Sequence, residues 1–474
     1  MTVKRGLIFL GLCLALNAPA DTFYVDASQS DDSGAGTSWS TAKRMIQAAV
    51  DLADAGDTVL VADGTYDIGT RATPSYTCQN RLVITNNITV RSVNGPDATF
   101  IVGSSDPVRG IYMSAGLLSG FTVTNGCTMT SGNTSYDRSG GGVNLYGGNG
   151  VISNCTICGN SAYSSGGGSY FGTLTDCTLS GNFAGSGGGS YSGTLTDCIL
   201  FSNSVTGEGG GSYSGTLKHC AIFENDALFG GGSNSGTLTD CTILRNSADF
   251  GAGSHGGTLN NCTLSGNSAE MYGGGSCYGT FNNCIVWGNT AASGGDIYSA
   301  TVCRYTCASG GVIDGENGCI TDDPLFVDAE NGDFRLRVGS PCIDAGSNNY
   351  ASSDDIDLDG NDRIVSSTVD MGAYEYDATI YDTDGDSQSD YDEYVAGTCE
   401  TNAREWFHIT SISNGAIHFQ SLESRLYTLY SSANLAEGVW IAVTNRMGID
   451  GVDSMQMPPG DAPQKYFKIG VELP

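Results

Sequence analysis

Apolar and polar positions alternate in short bursts along most of this chain, and between residues 140 and 295 the bursts recur on a fixed period. In each repeat a leucine or phenylalanine (Leu174, Leu195, Leu217, Leu238, Leu259, Phe281) is followed three residues later by a cysteine. Two residues beyond the cysteine stands an aliphatic, such as Leu179, Ile222, Ile243, Leu264 or Val286. Polar residues separate them, so alternate side chains face one way, as in a strand with one buried face. The cysteines Cys155, Cys177, Cys198, Cys220, Cys241, Cys262 and Cys284 lie 21 or 22 residues apart. A phrase of this length, repeated so often, predicts stacked coils of two or three short strands: a right-handed parallel β-helix, in the all-β class.

Other columns follow from the same period. Five residues after each cysteine comes an asparagine, from Asn160 to Asn289. At a bend between strands an asparagine amide can donate to one coil and accept from the next, so the column predicts a hydrogen-bonded ladder. Glycine triplets such as 187–189 and 209–211 mark a second corner, where positive φ or close backbone approach is needed. The cysteines are expected to point inward as small apolar residues, mostly as free thiols. Bridges between neighbouring coils are also within reach, because stacked strands lie about 4.8 Å apart. Tyr170, Tyr191 and Tyr213 share one place in three successive coils, continuing as Asn234, His255 and Cys277. Facing outward they would form a strip on which sugar rings could stack; facing inward they would be core.

Ahead of the repeats, Thr22–Val25 reads as a strand. Residues 40–53 carry apolar positions at helical spacing with Ser40 as N-cap, and residues 56–66 read as a second strand. This short helix is expected to cap the open first rung of the stack. Residues 127–138 read as a loop that interrupts the period, a place where a site could be built.

Bulk properties narrow the partners and the compartment. The 474 residues carry a net charge of -31, which argues against nucleic acid. Lys4 and Arg5, an apolar run from Gly6 to Leu16 and the small residues Ala18-Pro19-Ala20 have the layout of a secretory signal peptide, with cleavage expected after Ala20. No later stretch is apolar for long enough to suggest a transmembrane helix. The expected location is therefore secreted or at the outer cell surface, where disulfides are permitted.

The paired phrases Gly-Gly-Gly and aliphatic-x-x-Asn, as in Ile222-Phe-Glu-Asn225 and Val286-Trp-Gly-Asn289, resemble the repeats of chlamydial polymorphic outer membrane proteins. Those are adhesin-type autotransporters built on a β-helix. This chain departs from them in placing serines (Ser169, Ser190, Ser212, Ser233, Ser254, Ser276) after the glycines. More broadly, the coils resemble the pectin-lyase-like superfamily. Asp323-Pro-Leu-Phe-Val-Asp, Gly339-Ser-Pro-Cys-Ile-Asp-Ala-Gly346 and Asp370-Met-Gly-Ala-Tyr-Glu-Tyr376 are similar to the closing segment of bacterial choice-of-anchor β-helix proteins, implying the end of an exported helix. Asp382, Asp384, Asp386, Gln388, Asp390 and Glu393 occupy the ligand spacing of an EF-hand-type calcium loop, with Ser387 in place of the usual glycine. This stretch resembles the calcium loops of dockerin and thrombospondin type 3 repeats. Calcium, as a structural ion, is the expected cofactor.

The domain reading is a signal peptide (1–20), a capped β-helix (21–322), last coils and closing segment (323–378), an acidic calcium-type linker (379–403) and a small β-sandwich-like module (404–474). Catalytic candidates are sparse. A lyase would need carboxylates and a Lys or Arg near the sugar's C5. The coils offer only Lys218, His219 and Arg245, and Arg245 is placed to form an exposed ion pair with Glu224 of the preceding coil. The leading expectation is a non-catalytic surface or secreted protein for adhesion or glycan binding, with a polysaccharide, a cell-surface glycan or a surface protein as partner. The alternative is a polysaccharide lyase or glycoside hydrolase acting on an acidic or sulfated glycan.

Overall fold

The computed structural model describes residues 20–377 and, beyond them, residues 409–413, 416–421, 425–432, 441–449, 451–457 and 466–472. The expected signal peptide and the calcium-type loop at 382–393 lie outside the described residues. The described chain falls into two units, divided at residue 321.

The first unit is a parallel β-helix. Its first sheet has 12 strands, running from Thr22–Val25 to Val302–Arg304. The second has 11, from Gly64–Tyr66 to Cys307–Ala308, and the third also has 11, from Arg71–Ala72 to Ile297–Tyr298. A fourth sheet of six strands runs from Phe183–Ser186 to Thr290–Ser293. One coil passes through Thr194–Thr196 of the first sheet, Ile199–Phe201 of the second, Ser204–Glu208 of the fourth and Ser212–Tyr213 of the third. Equivalent residues pair in register, Leu195 with Leu217 and Leu217 with Leu238. The predicted β-helix is therefore present, with four strands per regular coil where two or three were expected.

Each sheet sends one side of its strands inward. Leu174, Leu195, Leu217 and Leu238 from the first sheet meet Leu179, Leu200, Ile222 and Ile243 from the second in one continuous core. The cysteine column belongs to that core, with every member from Cys155 to Cys284 at most 2% exposed. All are free thiols. Burial in this apolar setting pushes Cys155 up to about 12, so the thiol stays protonated and packs as a small apolar group.

The asparagine ladder is present as well. Asn203 Nδ2 donates to Asn225 Oδ1 at 2.9 Å and to Leu179 O at 2.9 Å, and Asn203 N donates to the same Asn225 oxygen at 3.0 Å. The same set of bonds repeats through Asn267 and Asn289. The last rung ends on a carboxylate: Asp296 Oδ1 accepts Asn289 N and Nδ2, both at 3.0 Å, while Oδ2 accepts Ser309 N. In the glycine triplets both expected reasons operate. Gly187 has a φ of 64°, and a Cβ on Gly188 would lie 2.6 Å from Gly210 O in the next coil.

The N-terminal cap is a shorter helix than the periodicity suggests. It spans Ile46–Val50, buries Ile46, Ala49 and Val50, and takes Met45 as its N-cap position rather than Ser40. Ser40 lies in a separate turn of 3-10 helix, Trp39–Thr41. The reason is Asp32, whose carboxylate accepts Arg44 N at 2.7 Å and Met45 N at 2.8 Å from outside the helix. That satisfies amides at the helix entry and fixes where it begins. Gln47 then bonds both backbone groups of Val83, at 2.8 and 3.2 Å, joining the cap to the third sheet.

In the second unit, Phe326–Asp328 and Asp333–Leu336 form an antiparallel pair. The motif around Asp370-Met-Gly-Ala-Tyr-Glu-Tyr376 folds on itself about a buried guanidinium. Arg363 contacts Glu375 Oε2 at 3.3 Å, both side chains being at most 1% exposed. Asp370 accepts Asp344 N at 2.6 Å and Tyr376 N at 2.7 Å, and Asp357 accepts Glu375 N at 2.9 Å. This phrase is thus a set of internal stitches. Near the C-terminus, two three-stranded antiparallel sheets bury Ile417, Phe419, Tyr427, Leu429 and Met455, an arrangement compatible with a small sandwich.

Candidate functional site

The tyrosine column stands on the third sheet, and its strands there are only two residues long. In Ser190–Tyr191 and Ser212–Tyr213 the serines are fully buried, whereas Tyr191 and Tyr213 are half-buried and lie outside the apolar core. The column therefore faces out from the coil. Its rings stack: Tyr170 on Tyr191 at 5.3 Å, and Tyr191 on Tyr213 at 4.9 Å with planes 14° apart. Tyr170 is more covered, at 6% exposed.

What covers it extends the surface. Tyr146 approaches Tyr170 at 5.6 Å and Tyr136 at 5.3 Å, and Tyr136 stacks on Tyr76 at 4.0 Å. Tyr136 belongs to the 127–138 loop, so that break in the period does contribute to the surface. Two buried charges hold the loop in place. Arg109 is fully buried and uses all five N–H groups. It donates to Gly140 O, Thr73 Oγ1, Asn80 Oδ1, Tyr136 O and Ser139 O at 2.6 to 3.0 Å. Asp137 accepts Thr77 N, Cys78 N and Asn133 N at 2.8 to 2.9 Å. Burial alone would raise the Asp137 carboxyl, but the N–H groups of Asn133, Cys78 and Thr77 outweigh it and its pKa falls below the ordinary value. The Tyr76–Tyr136 platform is thereby pinned from both sides.

A second aromatic row runs beside the first, with Phe229, Phe250 and Tyr272 on the fourth sheet and Tyr298 on the third. Phe229 stacks on Phe250 at 4.9 Å, Phe250 lies 5.9 Å from Tyr272, and Tyr272 stacks on Tyr298 at 4.5 Å. Phe229 and Tyr272, with Glu208 ahead of them, each stand one position before a glycine triplet, and Phe250 stands one before Gly251-Ala252-Gly253. The tyrosine column, with Tyr298 in the same place, stands four positions after the first glycine. The glycine corner thus sets the two rows side by side. His255 joins them, edge-on to Phe229 at 5.3 Å and to Tyr278 at 5.7 Å. Asn234 Nδ2 lies 3.4 Å from His255 Nδ1. Burial lowers His255 below its ordinary pKa, so the ring is neutral at pH 7.

The catalytic candidates do not gather at one place: Lys218 and His219 are neighbours in the chain, and Arg245 stands at another corner. His219 stands at the corner between the first and second sheets, in the aspartate turn column. There its ring lies 3.4 Å from Asp197 Oδ1 and 3.6 Å from Asp240 Oδ2. Lys218 ends a strand of the first sheet. Arg245 stands at the corner between the second and fourth sheets, 3.6 Å from Glu224 Oε1, as the exposed ion pair that the spacing predicts. The calcium candidates Asp382, Asp384, Asp386, Gln388, Asp390 and Glu393 lie outside the described residues.

Sequence reading found the tyrosine column but missed Tyr76, Tyr136, Tyr146 and Asp137, which come from aperiodic loops, and Arg109, on the strand Val108–Met113 ahead of the regular repeats. It also passed over Phe229, Phe250 and Tyr272, although their fixed place before the glycines is a readable signal.

No protein-family model and no curated protein matches the sequence. Among solved structures the chain is similar to the pectate lyase Pel9A, at 14% identity and a TM-score of 0.47, over 76% of this chain and 97% of that one. It is also similar to a rhamnogalacturonan lyase, at 11% identity and a TM-score of 0.37, over 68% of this chain and 94% of that one. A third is the pectin methylesterase PemA from Erwinia chrysanthemi, at 13% identity and a TM-score of 0.31, over 64% and 94%. Each likeness is loose. The parallel β-helix is established by the strand registers of this chain.

Proposed function

We propose that this protein is an exported β-helix that binds a glycan along the aromatic surface of its third and fourth sheets, as an adhesion or carbohydrate-binding protein. The observation that carries this reading is the run of stacked, outward-facing rings from Tyr76 to Tyr213, continued by Phe229 to Tyr298. Sugar rings present C–H faces that pack on aromatic π-faces, and a repeat of one coil per rung suits an extended polymer. The rigid coil presents these rings already ordered, so little side-chain entropy is lost on binding.

The test is affinity electrophoresis of the full chain through gels containing a panel of polysaccharides. At least one is expected to retard it, and Tyr191→Ala and Tyr213→Ala are each expected to weaken that retention about tenfold, from the loss of roughly 1 kcal/mol or more of stacking. If no polysaccharide retards the protein, or if both variants behave as the parent, the proposal is wrong. The same panel, assayed for release of unsaturated uronate with added calcium, tests the lyase alternative.

A further inference from the structure

We propose that the aromatic strip takes a neutral polysaccharide rather than an acidic or sulfated one, with Glu208 and His255 reading its hydroxyl groups. This rests on the glycan-binding reading above and names the substrate class.

The first argument is the distribution of charge. Between residues 139 and 305 the lysine and arginine residues of the sequence are Lys218, Arg245 and Arg304. Lys218 and Arg304 stand on strands of the first sheet, and Arg245 stands at the corner of the second and fourth sheets beside Glu224. The strip from Tyr170 to Tyr298 therefore carries no lysine or arginine of this stretch, and Arg138, at the Tyr136 end of the surface, is engaged over the Tyr163 ring at 4.8 Å. Carboxylate or sulfate groups on a sugar chain are ordinarily held by bidentate arginines or by lysines. A chain with a net charge of -31 repels them further.

The second argument is the polar group that the strip does contain. Glu208 pairs with Ser186 on one side and Phe229 on the other, and so takes a place in the second row of rings. Its charge reaches both the Tyr191 phenol, where it adds to the burial that raises the pKa, and the His255 imidazole, where it opposes the burial that lowers it. An ionised carboxylate accepts hydrogen bonds and cannot donate them, so it suits sugar hydroxyls and opposes another anion. His255, held 3.4 Å from the buried Asn234 amide, supplies a neutral imidazole that can both donate and accept. Where the tyrosine column gives way to His255, stacking thus gives way to hydroxyl recognition on the same face.

The experiment is isothermal titration of the full chain with neutral polysaccharides (mixed-linkage β-glucan, galactomannan, unsubstituted xylan) and acidic ones (polygalacturonate, alginate, chondroitin sulfate), at 20 and 200 mM NaCl. At least one neutral polymer is expected to bind, with an affinity that changes less than twofold with salt. Tyr213→Ala should weaken it about tenfold and Glu208→Gln several-fold, and no acidic polymer should bind at 200 mM NaCl. An acidic polymer bound at 200 mM NaCl and lost in Tyr213→Ala would overturn the neutral assignment while leaving the strip as the binding surface. If no polymer in either set depends on Tyr213, both readings fail. These side chains face outward, so a thermal melt of each variant matching the parent confirms that folding is intact.

Discussion

At the scale of single residues, the molecule depends on polar groups that are buried yet fully partnered. Asn225 is the clearest case. Its amide nitrogen donates to Leu200 O, Phe223 O and Asn246 Oδ1 at 3.0 Å, and its oxygen accepts two N–H groups of Asn203 at 2.9 to 3.0 Å. Replacing it by alanine strands several buried groups at once, so Asn225→Ala is expected to cost about 3 kcal/mol or more in urea unfolding. A loss of less than 1 kcal/mol would show that the ladder is not a stabilising element. Part of the serine column behaves oppositely, although Ser169 donates to Ser190 and Ser254 to Gly256 O. Ser212, Ser233 and Ser276 bury hydroxyls that find no hydrogen-bond partner. Ser212→Ala removes that penalty with little change in volume, and it is expected to raise stability by about 1 kcal/mol. The asparagine role was legible because one residue type recurs where the backbone must turn. The direction of the serines was not, since a two-residue strand offers no alternation to read.

At the scale of elements, the closing segment 339–376 responds to pH through its buried carboxyls. Burial raises Asp370 to about 7 and, together with the neighbouring Asp370 charge, raises Glu375 to about 8, with Arg363 opposing both shifts. A carboxyl whose pKa is higher in the folded state holds its proton more tightly there. Its contribution is complete below the ordinary carboxylate range, about 4, and is lost as pH rises through the folded values. Hydrogen-exchange protection of the Asp344 and Tyr376 amides, corrected for the intrinsic rate, is therefore expected to fall between pH 6 and pH 9. Glu375→Gln should flatten that fall, and equal protection across the window would contradict the assignment. The phrases Gly339–Gly346 and Asp370–Tyr376 were recognisable in the sequence, but that Asp344 of the first meets Asp370 of the second, and that Arg363 and Asp357 join them, was not. They meet through turns that no periodic pattern describes.

At the scale of the whole molecule, acidity and stacking oppose each other. A net charge of -31 repels itself, and raising salt from 10 to 300 mM shortens the screening length from about 30 Å to under 8 Å. The melting temperature of the full chain is expected to rise by several degrees over that range, and an unchanged or lower value would count against self-repulsion as a significant term. The sequence by itself determined the β-helix, its 21- or 22-residue coil, the inward cysteines and the asparagine corner. Each of these is a local demand repeated on every rung, so the period states it many times over. Only the tertiary structure decided that Tyr170, Tyr191 and Tyr213 face outward, that Phe229, Phe250 and Tyr272 form a second row beside them, and that Arg109 and Asp137 pin the 127–138 loop against Tyr76. Those facts depend on residues far apart in the chain meeting across a corner or between loops, and such a meeting is fixed by how whole coils pack rather than by any spacing within one.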